Sequence, residues 1–279
     1  MPDAPTDAPA LFARAAGRNR FTARQATVVA VSAPTQEYIR VTLTGPDFAD
    51  YASGGPSDHT RTFFPDPATG ELVAPVAAGP GEDGIVRPDQ PTFGRDFTPL
   101  NVRDENGRRL VDLDILRHDS PGPAAQWGAT ATIGSQLVLV GPRGSKAATQ
   151  NAPRVLLVVD GTSLPAAGRW LAEVPASTRV EIIADGDLDS ARAYLSSFAD
   201  REFALTAAGD DLVAGVTAVG VDATTYVFAA GEASALVPLR RHLRHTLQLP
   251  REQYSVTGYW RRGVVAWDHH APIDPVDPD

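Results

Sequence analysis

Residues 91–102, PTFGRDFTPLNV, set Arg95, Asp96, Phe97 and Thr98 between Pro91 and Pro99. A half-buried strand alternates apolar and polar residues, and this stretch does not. A guanidinium, an aromatic ring and a hydroxyl on neighbouring residues suit a ligand that offers an anion, a flat ring and a polar atom close together. The same residues also describe an edge strand with a surface Arg and a core Phe, and the segment taken alone favours that plainer reading. A second group is SPGPAAQW, residues 120–127. Gly122-Pro123 before an Ala-rich run puts Pro in the first turn of a helix, where its missing N–H costs nothing. The free N–H groups of Ala124, Ala125 and their neighbours, at the positive end of the helix dipole, form a phosphate site. A helix capped for stability alone explains the same residues.

Further along, VVDGTSLPAAGRW and FAAGEASA read as strand ends running into helices. Ligands of open α/β sheets bind at such carboxyl ends, so Asp160, Gly161, Thr162, Gly231, Glu232 and Ala233 are candidates, and Gly231 allows a close backbone approach. Neither segment is a G-x-G-x-x-G. In GYWRRG, Trp260 stands beside Arg261 and Arg262, which could hold an anion or form a solvated basic turn. His269 and His270 follow Asp268, but adjacent residues rarely share one ion and the terminus is rich in Pro and Asp, so no metal site is expected.

The elements that must position these groups fall into two sets. From about Phe21 to Val140 the pattern is strand-like: ATVVAVSAPT, EYIRVTLTG, RRLVDLDILRH and SQLVLVGPRGS are short runs ending in turn residues. In RRLVDLDILRH, Leu110, Leu113 and Ile115 or their neighbours face inward, and Asp112 and Asp114 mark the other face. The Gly- and Pro-rich stretch from Asp66 to Pro91 reads as a long loop with room for one hairpin. Short strands with irregular connections predict an antiparallel barrel. After KAATQNAP the pattern changes to RVLLVVDG, SLPAAGRWLAEV, RVEIIADG, SARAYLSSFA, TTYVFAAG and ASALVPLRRHLRHTLQ, strands alternating with helices, which predicts a parallel sheet. The expected boundaries are a disordered lead-in over 1–20, a β-barrel over 21–148, an α/β domain over 149–265 and a flexible tail over 266–279.

The 279 residues suffice for two domains, and a net charge of −9 speaks against nucleic acid and acidic membranes as partners. No run of about 18 apolar residues is present, so no membrane helix is expected. The N-terminus lacks the basic-then-apolar order of a signal peptide, and the expected location is the cytoplasm. There is no Cys, which excludes disulfides, thiolate metal sites and a Cys nucleophile.

A barrel followed by a nucleotide-binding α/β unit is the ferredoxin–NADP reductase architecture, with a Greek-key barrel as the FAD domain. GRDFTPL resembles the R-x-Y-T-x-R flavin motif of siderophore-interacting proteins, which are FAD-dependent ferric-siderophore reductases. The resemblance continues in order through VDLDILRHDSPGPAAQW, GPRGS, SLPAAGRWLAEVPASTRV, GEASALVPLRRHLR and TGYWRRG, nearly the whole chain. It implies FAD as cofactor and NADPH or NADH as reductant. Arg95 then meets phosphate, Phe97 stacks on the isoalloxazine and Thr98 hydrogen-bonds near N5, with Asp96 beside them. Because Phe97 and Thr98 would sit on opposite faces of a regular strand, the site needs a bend. The resemblance also implies that Gly122, Pro123, Ala124, Ala125 and Trp127 surround the pyrophosphate, and that Asp114, Leu116 and His118 line the flavin or adenosine. It makes the two strand ends of the α/β domain the nicotinamide-nucleotide site, and gives Trp260, Arg261 and Arg262 to the substrate, a ferric siderophore or other small molecule, or to a 2′-phosphate.

The sequence departs from the family pattern at four positions. Phe97 replaces Tyr, Leu100 replaces a second Arg, Val159 replaces Gly, and Gly161 replaces Glu, so the FAD site is better kept than the reductant site. Two rival readings therefore stand beside the reductase: a family member recruited to another flavin-dependent or non-redox step such as secondary-metabolite tailoring, and a non-catalytic ferric-chelate binder. Turnover of a ferric chelate with NAD(P)H separates the reductase from both, and bound flavin separates a recruited flavoenzyme from a binder.

Overall fold

The structure, a computed structural model, describes residues 8–118 and 122–278; Ser120 and Pro121 of the expected phosphate-binding segment lie outside them. It divides into one unit of Ala16–Ala147 and a second of residues 148–278 joined by residues 8–15. The second unit therefore holds the first described element, the short helix Ala8–Leu11 (α1).

In the first unit, Ala16–Arg18 (β1) is followed by Ala23–Ser32 (β2), Tyr38–Thr44 (β3), Thr60–Phe64 (β4), the short pair Val76–Ala77 (β5) and Ile85–Val86 (β6), Phe93–Phe97 (β7), Leu100–Glu105 (β8) and Arg108–Leu116 (β9). Helix Pro123–Thr130 (α2), Gln136–Val140 (β10) and Gly144–Lys146 (β11) complete it. The main sheet is antiparallel and runs β7-β4-β10-β2-β3-β9-β8. Its two edge strands, β7 and β8, are consecutive in sequence and separated only by Thr98 and Pro99. Laid flat, strands ~4.8 Å apart would put those edges nearly 30 Å from each other, whereas the link from Phe97 to Leu100 reaches at most ~11 Å. The sheet must therefore curl into a half-barrel whose two edges come together at the Thr98–Pro99 corner, and the Arg95–Thr98 segment sits at that seam. Inward-facing Val28, Val41, Leu43, Val111, Leu113 and Leu139 fill the interior; each such side chain contributes about 1.5–3 kcal/mol on burial.

Asp112 and Asp114, expected only to mark a second face of β9, are buried as well. Buried carboxylates require partners, and both have them. Asp112 accepts from Thr42 Oγ1 at 2.7 Å and Asn101 Nδ2 at 2.8 Å. Asp114 takes a two-pronged pair from Arg40, with Nε and Nη2 each at 2.7 Å.

The second unit contains Arg154–Val159 (β12), Leu164–Glu173 (α3), Arg179–Ala184 (β13), Leu188–Leu195 (α4), Ala204–Ala207 (β14), Leu212–Val219 (α5), Thr225–Glu232 (β15), Ala233–Arg241 (α6) and Tyr254–Trp260 (β16). All five strands are parallel, in the order β14-β13-β12-β15-β16. The central strand β12, VLLVV after Arg154, is apolar on both faces because helices cover both. Of these elements, β14, α5 and β16 were not distinguished in the sequence.

Two expectations about the termini need correction. The lead-in is ordered over its described part: Phe12 is buried, and Arg14 donates to the Tyr226 hydroxyl at 2.9 Å while its guanidinium lies over the Trp170 ring. The tail is also anchored. Ile273 is buried and Trp267 packs on the same core cluster. Asp274 pairs with Arg241 at 2.6 Å, and Asp277 meets Arg240, Arg244 and His245 at 3.1, 3.1 and 2.7 Å. An acidic tail thus answers a cluster of bases at the C-terminal end of a helix, where the dipole also favours those cations.

Candidate functional site

At the barrel seam, β7 pairs with β4 so that Arg61 stands opposite Asp96, Thr62 opposite Arg95 and Thr60 opposite Phe97. Arg61 is neutralised by Asp96, its Nη1 lying 2.8 Å from Oδ2. Arg95 is half-buried and donates to the Gly94 carbonyl at 2.7 Å, and among the described residues it pairs with no carboxylate. Burial first, and then the charge of Arg61, hold its pKa below the ordinary arginine value, with Asp96 opposing. A half-buried guanidinium without an ion pair among the described residues, beside a second guanidinium, is a place for an anion.

Phe97 is half-buried and meets Phe64 edge-on, with centroids 5.8 Å apart. The same Phe64 ring meets Trp127 of α2 at 5.4 Å. One core ring thus joins two segments that lie thirty residues apart in sequence, the seam strand and the α2 helix. The chain then bends as the site requires: Thr98 and Pro99 turn the corner between β7 and β8, and Thr98 is buried with no hydrogen-bond partner for its hydroxyl among the described residues. Just beyond, one extra residue bulges out of β8 against β9, and Asn101 takes a left-handed φ of 47°, which Asn tolerates. Bulges of this kind recur beside functional sites.

The α2 helix begins as the sequence predicts. Gly122 is its N-cap, no side chain caps it among the described residues, and Pro123 opens the first turn. Ala124 and Ala125 are buried, so their small side chains let the helix settle against the barrel. Among the described residues no side chain takes the N–H groups at this end, which leaves them for an outside acceptor. Of the remaining candidates in this unit, Asp114 is committed to Arg40, Leu116 is half-buried at the end of β9, and His118 is exposed two residues later. Leu100, where a second Arg was expected, is fully buried in the barrel. That departure therefore adds to the core.

In the α/β unit, strand order reverses between β12 and β15, the switch point at which such sheets bind ligands. Asp160, Gly161 and Thr162 follow β12 there, and Gly231, Glu232 and Ala233 end β15 and begin α6. Ser163 Oγ donates to the Ala230 carbonyl at 2.6 Å, tying the two strand ends together. Gly231 has φ 149°, and a Cβ there would lie 2.5 Å from Asp160 Oδ2, so only glycine fits. Trp260 joins them, its Nε1 donating to Asp160 Oδ2 at 2.8 Å. Six of the predicted nucleotide residues and Trp260 therefore share one edge of the sheet.

Two of these side chains are engaged within the protein. Asp160 Oδ1 accepts from Thr162 N at 2.9 Å and Thr162 Oγ1 at 2.6 Å. Glu232 caps α6 through Ala235 N at 2.7 Å and accepts from Arg262 N at 3.0 Å. Their work here is to shape the edge, with the Thr162 N–H and hydroxyl held by Asp160, which leaves backbone groups of the two strand ends to face a ligand. Arg262 is exposed, and Arg261 lies over the Trp267 ring at 5.2 Å. Val159 is buried between Ala184 and Ala230 of the flanking strands. Arg61, Phe64, Ser163 and Trp267 were not singled out in the sequence. Strand pairing brings Arg61 and Phe64 to the seam, the turn into α3 places Ser163, and packing of the tail places Trp267; nothing in TRTFF or AWDHH marks the residues they hold.

Comparison with known proteins follows both units. Residues 27–146 match the family model described as siderophore-interacting FAD-binding domain, and residues 152–263 the one described as siderophore-interacting protein. The ferric vibriobactin reductase ViuB of Vibrio cholerae is 24% identical over 244 residues, 85% of this chain and 88% of that protein. The NADPH-dependent ferric-chelate reductase of Escherichia coli is 34% identical over 155 residues, 55% of this chain and 58% of that protein. The crystal structure of a siderophore utilization protein from T. fusca aligns with a TM-score of 0.77 at 32% identity, covering 93% of this chain and 100% of that one. At 15% identity, the ferredoxin reductase in carbazole 1,9a-dioxygenase shares the fold, with a TM-score of 0.57 over 86% of this chain and 68% of its own.

Proposed function

The chain belongs to the siderophore-interacting protein family, and from that premise we propose that it is a flavoenzyme that reduces Fe(III)-siderophores to Fe(II) with NAD(P)H. The family carries an FAD-binding domain, and its distant relatives include ferric siderophore and ferric chelate reductases. The observation that carries the proposal for this chain is Arg95: a half-buried cation that, among the described residues, forms no ion pair, beside a half-buried ring and a hydroxyl without a partner among those residues, at the barrel seam.

These residues fit FAD. Arg95 offers a planar fork to phosphate, and the uncapped start of α2 offers N–H groups to the same pyrophosphate. Phe97 presents a ring to a flat partner, and Thr98 a hydroxyl to a polar ring atom. When bound, FAD supplies the exchange between two-electron hydride chemistry and one-electron transfer. The protein's own part is to hold the rings, neutralise the phosphates and admit a nicotinamide nucleotide at the β12–β15 switch point. One NAD(P)H carries electrons for two Fe(III). Hard oxygen donors of a siderophore bind Fe(II) weakly, so reduction frees the metal, and the iron ligands come from the substrate.

The purified protein is expected to be yellow and to release FAD on denaturation. FMN has no pyrophosphate to engage Arg95 and α2. A colourless protein that FAD cannot reconstitute would remove the basis of the proposal.

A further inference from the structure

We infer that the nicotinamide nucleotide of this chain is NADH, and that Asp185 with Asp210 turns NADPH away. The inference rests on the reading above, that the β12–β15 switch point takes a nicotinamide nucleotide. In a sheet of this order, a dinucleotide lies across the carboxyl edge, with its adenosine ribose over the strand next to the first. An acidic residue about twenty positions after the first strand then accepts the ribose 2′-hydroxyl, and a nearby Arg accommodates a 2′-phosphate.

Here β13 is the strand next to β12, and Asp185 follows its last residue. The Asp185 N–H donates to the Val159 carbonyl at 2.9 Å, which fixes the residue one strand away from the Val159–Asp160 turn. Beyond β13, Ala208 N donates to the Ala184 carbonyl at 2.9 Å and leads into Asp210 and Asp211. Neither connection, residues 185–191 or 208–214, contains a Lys, Arg or His. The first basic residue on this side is Arg192, exposed in α4, and its guanidinium lies over Phe203. Asp187 and Asp211 accept N–H groups as the caps of α4 and α5. Asp185 and Asp210 are exposed, and their carboxylates accept no hydrogen bond among the described residues.

The carboxylates do not constitute a binding site of their own. They set the field at one end of a site that the switch point defines. A 2′-hydroxyl can donate to Asp185. A 2′-phosphate only accepts, and it carries nearly two negative charges at neutral pH. The cations of this edge, Arg261 and Arg262, lie after β16 at its other end. With a Debye length of ~8 Å at physiological salt, the two carboxylates without partners among the described residues, Asp185 and Asp210, lower the affinity for NADPH by roughly tenfold, and added salt weakens the effect.

The test is calorimetric titration of the FAD-loaded protein with NAD⁺ and NADP⁺, which bind without turnover, at about 0.05 M and 0.5 M salt. The expected result is at least tenfold tighter binding of NAD⁺ at low salt, with the gap narrowing at high salt. Asp185→Ser should shrink the gap and Asp185→Arg should close or invert it. Equal affinities, or a gap that Asp185→Arg leaves intact, would overturn the inference while leaving the nucleotide site in place. A selective loss of NADP⁺ binding in Arg261→Ala would place the 2′-phosphate at the opposite end and overturn it too. No binding of either nucleotide to flavin-loaded protein would overturn the underlying reading as well.

Discussion

Replacing Arg95 with Ala should separate a ligand-binding role from a structural one, because the two have opposite signs at this position. In the folded chain Arg95 has one hydrogen bond, to the adjacent Gly94 carbonyl, and no ion pair among the described residues. Burial and Arg61 both disfavour its charge. An arginine stays protonated at any working pH, so the fold carries that cost throughout. Removing the side chain loses a neutral-acceptor bond worth about 0.5–1.5 kcal/mol and relieves the buried, repelled charge. The melting temperature of the apoprotein should therefore barely change, and should show no new pH dependence between about pH 5 and 9. FAD affinity should fall, because a charge-assisted bond to phosphate contributes about 1.5–3 kcal/mol, or roughly ten- to a hundred-fold in Kd. Arg61→Ala should cost less, since Arg61 is already paired with Asp96, and Arg261→Ala in the other unit should cost nothing. The assay is titration of apoprotein with FAD, followed by flavin fluorescence, beside thermal melts. Unchanged FAD affinity, or an apoprotein destabilised by several kcal/mol, would refute the reasoning.

Other expectations follow from the same structure. The hydrogen bond from Arg20, with Arg24 adding to it against the effect of burial, holds the Asp50 carboxyl well below the usual range. A depressed carboxylate stabilises the fold above its unfolded pKa of about 3.9 and loses that contribution as pH falls further. Asp50→Asn should thus be less stable than the parent at pH 7, with a difference that shrinks steadily as pH falls below about 4 in urea titrations; a constant difference would contradict this. A variant ending at Ala266 loses buried Ile273, the packing of Trp267 and the Asp274 and Asp277 pairs. It should unfold at lower urea, by about 2–4 kcal/mol; an unchanged midpoint would mean that the tail contributes nothing. Gly161→Glu should speed reduction of the flavin by NADH while leaving oxidation of dithionite-reduced flavin by a ferric chelate unchanged, read by stopped-flow absorbance. Val159→Gly should instead destabilise by about 2–4 kcal/mol, because Val159 is buried in the sheet.

Much of the fold was legible because each unit has its own period. Alternation in RRLVDLDILRH and continuous apolar runs such as RVLLVV are direct signatures of half-buried and doubly covered strands. The elements passed over have weak patterns: β14 is only four residues, ALTA, and α5 is LVAGVTAV, β-branched for a helix. The ordered termini were hidden by composition. Pro, Ala and Asp suggest disorder, and only the contacts reveal that Phe12 and Ile273 are buried. At the candidate site, the residue types of Arg95–Thr98 announced a ligand, and Gly122-Pro123 announced a helix start. Sequence could not show that β7 and β8 are the two edges of one sheet, which puts the motif at a seam. It also could not show that Asp114, Asp160 and Glu232 have internal partners, since chemically suitable carboxylates look alike until their neighbours are known. The Leu100 departure likewise read as a lost charge, and only the barrel interior shows it to be core.

The central claim is that electrons pass from a nicotinamide nucleotide through a flavin on this chain to Fe(III) in a siderophore. The most direct measurement follows the flavin absorbance of the purified, FAD-loaded protein under strict exclusion of oxygen. NADH is added first and a ferric siderophore second, with an Fe(II)-specific chromogenic chelator present. The account predicts bleaching near 450 nm on the first addition, recovery on the second, and two Fe(II) trapped per NADH consumed. A flavin that NADH and NADPH both fail to bleach, or a chemically reduced flavin that leaves the ferric siderophore untouched, would contradict it.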